Sequence, residues 1–173
     1  MLVRPARPED AAAIQAIYAH HVLHGLGTFE EIPPGVEEMT ARMAAIAADG
    51  LPWLVVEEDG GEVLAYAYAS QFRPRAAYRF TVEDSVYVAP QATGRGCGRA
   101  ALSALISACA ALGKRRMAAV IGDSGNAASI ALHRALGFTP AGVLHDMGFK
   151  HERWVDVVLM ERALTPADAE FSA

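Results

Sequence analysis

The spacing of apolar positions changes several times along this chain. Leu2 to Pro5 predicts a short first strand. Pro8, with Glu9 and Asp10 behind it, opens a helix whose first-turn acids complement its own dipole. Ile14, Ile17, Tyr18 and Val22 recur along that helix as one apolar stripe. Gly25 and Gly27 end it, and a Pro33-Pro34-Gly35 turn follows the segment Thr28-Phe29-Glu30-Glu31. Val36, Met39, Met43 and Ile46 mark a second helix, stopped at Asp49-Gly50.

The period then falls to two. Trp53–Glu57 and Val63–Ser70 flank Asp59-Gly60-Gly61, a strong hairpin signal. Arg79 to Val88 is rich in β-branched and aromatic residues and predicts a further strand, halted by Pro90. A glycine-dense turn, Gln91 to Gly98, leads into a helix running to about Leu112. Met117–Ile121 predicts a strand and Asn126–Leu136 a helix with Gly137 just past its end. Thr139–Leu144 and Trp154–Arg162 predict two closing strands. A meander of strands, then strand, glycine loop, helix, strand, helix, strand, predicts an α+β fold on a mixed sheet. There is no internal repeat and no linker, so one domain over residues 1–173 is expected.

Charge narrows the function. Fifteen basic side chains against 20 acidic ones give a net charge of −5, which leaves no basic face for nucleic acid. The longest uncharged run, Ala100 to Gly113, is too short to span a bilayer, which takes about 20 residues. The N-terminal residues carry no export signal, so a cytoplasmic location is expected, with no membrane partner. Cys97 and Cys109 are the only two cysteines, and they would stand ~18 Å apart on a helix, too far to pair. The six histidines show no ligand spacing, and no metal is expected.

The glycine loop carries the first chemistry. Gly94, Gly96 and Gly98 alternate between a strand end and a helix start, where successive amides can turn toward one anion. Arg95 and Arg99 add positive charge. No Lys-Ser/Thr follows, so this is not a Walker loop. Arg99 and Ala100 after Gly98 also break the G-x-G-x-x-G pattern. A diphosphate held without a metal-binding hydroxyl fits better than ATP with magnesium.

Gln91-x-x-Gly94-x-Gly96, after the strand Ser85-Val86-Tyr87-Val88, resembles the acetyl-CoA pyrophosphate loop of the GNAT N-acetyltransferase superfamily. Asn126-x-x-Ser129-x-x-Leu132-His133-x-x-x-Gly137-Phe138 resembles its second signature. Arg75-Ala76-Ala77-Tyr78, Thr81-Val82-Glu83 and Gly148-Phe149-Lys150 with Trp154-x-Asp156 are similar to the phosphinothricin and methionine sulfone/sulfoximine acetyltransferase group. The resemblance runs from Arg4 to about Arg162. It implies a mixed, mostly antiparallel twisted sheet flanked by helices, acetyl-CoA as co-substrate, a small amino-acid-like amine as acceptor, and a homodimer. It places Val86, Tyr87, Val88, Gln91, Gly94, Arg95, Gly96, Cys97, Gly98, Arg99, Asn126 and Ser129 around the cofactor. Phe29, Glu30, Arg73, Arg75 and Tyr78 are placed around the acceptor. A backbone amide near Val88 would face the thioester carbonyl.

Amide formation from a thioester needs a neutral amine, and amines are mostly protonated at neutral pH, so a nearby base helps. By strand alternation Glu83 and Ser85 share one face, while Val82, Asp84 and Val86 share the other. The resemblance makes Glu83 the general base; Asp84 is the weaker choice and reads better as a solvated edge charge. His133 stands where relatives carry a proton donor for the thiolate, as acid, as hydrogen-bond donor or as a structural residue. Asn126 caps its helix, binds the pantetheine arm, or does both. Arg73, Arg75 and Arg79 suit a carboxylate-bearing acceptor and count against a polyamine. Cys97 has no histidine near it in sequence and is not expected to form an acyl-enzyme. Glu152 is expected at a pocket rim or dimer contact. The alternatives are acetylation of a peptide or protein N-terminus, and a non-catalytic acyl-CoA sensor.

Overall fold

A computed structural model describes residues 1–58 and 60–171. Asp59 of the expected hairpin turn, and the last two residues of the expected domain, lie outside the described residues. In chain order the elements are β1 (Leu2–Pro5), α1 (Ala11–His24), α2 (Val36–Ala48), β2 (Trp53–Glu57), β3 (Val63–Gln71), β4 (Thr81–Val88), α3 (Cys97–Ala111), β5 (Arg116–Gly122), α4 (Ala127–Ala135), β6 (Thr139–Lys150) and β7 (Arg153–Ala163). The seven strands form one sheet in the order β1-β2-β3-β4-β5-β7-β6. Every neighbouring pair is antiparallel except β4 and β5, so the α+β, mostly antiparallel expectation is borne out.

The one parallel pair is also the incomplete one. Thr81–Asp84 of β4 pair with Arg116–Ala119 of β5, and beyond that the strands separate. The second half of each strand borders an opening in the middle of the sheet, lined also by the α1–α2 loop, α3 and α4. Strand faces decide what meets what. Tyr87 packs edge-on against Tyr18 of α1, with ring centroids 5.1 Å apart, so its face of β4 looks toward α1. The other face bears Val82 and Asp84, both buried. Leu102, Leu105 and Cys109 of α3 and Ile14, Val22 and Met39 of α1 and α2 fill the two core layers. Each such large apolar side chain contributes about 1.5–3 kcal/mol on burial. Trp53, Tyr66, Tyr68 and Tyr87 add a stacked aromatic layer across β2, β3 and β4. Both cysteines are buried and unpaired, and no described helix is long and apolar enough to cross a membrane.

Three boundaries differ from expectation. Pro8–Asp10 form a 3-10 turn, and the α-helix starts at Ala11; Asp10 is drawn off to a two-pronged bond with Arg4, at 2.7 and 2.9 Å. β4 starts at Thr81, because Ala76–Tyr78 coil into another 3-10 turn. β6 continues six residues past Leu144 to Lys150. Its pairing with β7 shifts register between Leu144 and Gly148, and the polar His145-Asp146 at that bulge breaks the alternation that marks a strand. Asp146 sits at φ 55°, its amide bonded to Asp156 Oδ1 at 3.1 Å. His151 and Glu152 form the two-residue turn between β6 and β7, at φ 51° and 59°. That backbone matches the twist of a tight hairpin but is one that glycine or asparagine adopts more easily.

Candidate active site

The opening between β4 and β5 leads into a cavity of about 720 Å³, within the usual range for ligand pockets. Val86, Tyr87, Val88, Gly94, Gly96, Cys97, Gly98, Arg99, Asn126 and Ser129 all line it, as the sequence predicts for a cofactor site. Gly94 and Gly96 lie at φ 79° and 83°, which only glycine reaches without strain, and Gly96 caps α3. The first amides of α3 have no carbonyl one turn back to bond, so they remain free for an anion. Gly98 serves packing: a β-carbon there would meet Val88 Cγ2 at 3.1 Å and Leu132 Cδ2 at 3.4 Å. These features fit a diphosphate-bearing cofactor. Gln91 and Arg95 turn elsewhere, to the acids flanking the β2–β3 turn. Gln91 Nε2 donates to Glu62 at 3.2 Å, and Arg95 pairs with Glu58.

Asn126 caps α4 by accepting from the Ser129 amide at 3.2 Å, and it also borders the cavity, so both of its predicted roles are compatible. The α1–α2 loop closes the opposite wall. Gly122 at the end of β5 lies so close beneath it that a β-carbon would overlap the Leu26 carbonyl oxygen. Leu26, Gly27 and His21 were not anticipated as wall residues. His21 Nε2 lies 2.8 Å from the Val88 carbonyl oxygen, and since a carbonyl only accepts, that nitrogen carries the hydrogen. Burial holds the His21 pKa down, against the carbonyl bond, so the ring is a neutral donor that fixes the end of β4.

Asp84 is not a solvated edge charge. α4 covers its face of β4, leaving it 6% exposed, and its Oδ2 lies 3.0 Å from Nε2 of His133, which is 2% exposed. His133 Nδ1 donates to the Ser129 carbonyl oxygen at 2.7 Å. With one ring nitrogen committed as donor, the Nε2–Oδ2 contact needs a proton of its own: either imidazolium against carboxylate, or imidazole against carboxylic acid. Burial alone would lower the His133 pKa, but the Asp84 hydrogen bond and charge outweigh it and raise the value. Asp84 Oδ1 is buried without a partner, on the rim of the cavity.

Glu83 points the other way, to the face shared with Ser85 and Tyr87. Burial pushes its pKa up, the neighbouring Asp84 charge adds to this, and Arg73 partly offsets both. A carboxylate held above its ordinary range is a better base near neutrality. Ser85, two residues on, reaches the cavity wall, so this face of β4 connects Glu83 to the cofactor side. Arg73 and Arg75 stand exposed in the β3–β4 connection, where Arg73 lies 4.9 Å over the Phe72 ring and Tyr78 packs edge-on against the same ring. Glu30 is not a free anion: Arg42 grips both its oxygens, at 2.7 and 3.2 Å, and Tyr18 donates to it at 2.9 Å. Phe29 is 39% exposed. Tyr68, opposite Ser85 on β3, feels the charges of Arg42, Glu83 and Glu30, so these residues surround one region. Among the described residues no group of three or more His, Cys, Asp or Glu side chains is placed to hold a metal.

Comparison with known proteins agrees with this geometry. Residues 3–159 match the Acetyltransferase (GNAT) domain family. The chain is 55% identical to a phosphinothricin N-acetyltransferase of Alcaligenes faecalis, over 96% of this chain and 84% of that one. It is 41% identical to an L-methionine sulfoximine/L-methionine sulfone acetyltransferase of Pseudomonas paraeruginosa, over 95% of each. The fold superposes with a TM-score of 0.92 on a Sinorhizobium meliloti phosphinothricin acetyltransferase in complex with AcCoA; the two are 48% identical, over 95% of this chain and 88% of that one. With a matching family domain over most of its length, the chain belongs to the GNAT family of N-acetyltransferases.

Proposed function

We propose that this protein transfers the acetyl group of acetyl-CoA to the α-amine of a small amino-acid analogue of the phosphinothricin or methionine sulfone/sulfoximine type. The amine attacks directly, with Glu83 as general base. The observation that carries the reading is the placement of Glu83. A half-buried carboxylate with a raised pKa sits on the strand whose far end borders the cavity, two residues from a cavity-wall serine. The names of two relatives support the acceptor class.

Acetyl-CoA, when bound, supplies the acyl group as a reactive thioester. The amides at the start of α3 and the side chain of Arg99 hold its diphosphate, and Asn126 and Ser129 border its arm. Glu83 takes a proton from the acceptor ammonium, directly or through one water; the neutral amine then attacks the thioester carbonyl, the C–S bond breaks, and the thiolate departs as free thiol with a proton given up by the attacking nitrogen. Arg73 and Arg75 hold the acceptor carboxylate. His133 and Asp84 share one proton at the inner wall. We also propose a homodimer that covers the edge strand β6, where Leu144, Met147 and Phe149, with Trp154 of β7, stand exposed.

The test is release of free thiol from acetyl-CoA with methionine sulfone, methionine sulfoximine, phosphinothricin, methionine, spermidine and a short peptide as acceptors. Saturable turnover confined to the first three is expected, with Glu83→Gln slower by roughly 10²–10⁴-fold at neutral pH. Turnover on the peptide alone would move the function to protein N-termini, and full activity of Glu83→Gln would remove the proposed base.

A further inference from the structure

The mechanism leaves two side-chain positions of β6 unused, and both act on the same stretch of the α1–α2 loop. Lys150 is 2% exposed, and its ammonium donates to the Thr28 carbonyl oxygen at 2.7 Å, across 122 residues of sequence. Burial lowers its pKa, while Glu31 and Glu30 supply negative charge at longer range. A buried ammonium is costly to leave without its acceptor, so this tie does not slacken easily. Two residues earlier, Gly148 lies flat against the Phe29 ring: a β-carbon there would come within 2.5–2.9 Å of three ring atoms. On the loop itself, Thr28 Oγ1 is bonded to the Tyr18 hydroxyl at 2.9 Å, and Glu30 is gripped by Arg42. Residues 28–30 are therefore held from both sides, and the Phe29 ring occupies space that exists only because residue 148 has no side chain.

We propose that Gly148 and Lys150 are specificity-determining residues. By seating Phe29 and Thr28 they set the size of the acceptor site, although neither touches the reacting atoms. The proposal rests on the reading of Phe29 as an acceptor-site wall. Any side chain at position 148 drives the ring outward, into the space an acceptor would use. Loss of the Lys150 ammonium frees the Thr28 carbonyl and lets the whole wall drift.

A double-mutant cycle on the full chain tests this, with methionine sulfone and phosphinothricin as acceptors. Gly148→Ala should raise the acceptor KM by roughly 10- to 100-fold and change the ratio between the two acceptors. The KM for acetyl-CoA should stay within about twofold, since neither residue borders that cavity. Lys150→Met should act in the same direction. In a Phe29→Ala background the Gly148→Ala effect should vanish, because the ring it displaces is gone. The same coupling should appear in Tm, with Gly148→Ala destabilising the unaltered protein but not Phe29→Ala. Additive effects in KM and Tm, with the unaltered protein active, would overturn this proposal alone. No turnover by the unaltered protein, or an acceptor KM unmoved by Phe29→Ala, would overturn the functional reading beneath it.

Discussion

A proton held between His133 and Asp84 has a thermodynamic signature. The folded-state His133 pKa lies above the ordinary 6.5, so the pair's contribution is complete below that value and is lost as pH rises through the raised one. Asp84→Asn should abolish that alkaline loss and lower stability on its acid side, where the pair is formed, on the scale of about 3–5 kcal/mol for breaking a buried pair. Thermal unfolding followed across the imidazole range checks it; a Tm-against-pH curve unchanged by Asp84→Asn would place the proton elsewhere. On the opposite face of β4 the sign is reversed in use. As the proposed base Glu83 would work only when ionised, so kcat/KM should fall as pH drops through its raised pKa. Arg73 holds that value down, so Arg73→Gln should move the acid limb to higher pH, and an unmoved limb would detach Arg73 from the base.

At the scale of elements, the β6–β7 hairpin turns on two residues with positive φ and no glycine. Glu152→Gly should relieve roughly 1–2 kcal/mol of backbone strain and raise Tm by ~2–4 °C per kcal/mol. A lower Tm would mean that the exposed Glu152 side chain contributes more than its backbone costs. The same hairpin shows what a one-dimensional reading can and cannot find. The glycine loop was legible because its shape depends on backbone freedom at Gly94 and Gly96, which residue type alone reveals. The bulged half of β6 was not, because His145-Asp146 interrupt the alternation exactly where the strand pairs through a register shift. Nor was the union of Asp84 with His133, or of His21 with Val88. Those contacts span 49 and 67 residues and follow from which faces α4 and α1 cover. The resemblance places Glu30 around the acceptor, but its tie to Arg42 was equally hidden, since that guanidinium lies 12 residues on, in α2.

For the whole molecule, the exposed edge strand is the face on which the proposed dimer rests. β6 ends the sheet and carries apolar side chains into solvent, a surface that monomers usually blunt with charge. Light scattering should give twice the chain mass for the unaltered protein and a single chain mass for Trp154→Glu, since Trp154 is 62% exposed on the proposed face. A monomeric unaltered protein would sink the dimer. The tie between Lys150 and Thr28 also has a meaning in time. A ribosome adds about 5–20 residues per second. Thr28 is therefore made roughly 6–25 s before the lysine that fastens it, while β4, α3 and β5 are finished in between. The tie therefore closes only when the last hairpin is complete, and until Lys150 emerges residues 28–30 have Tyr18 and Arg42 alone to hold them.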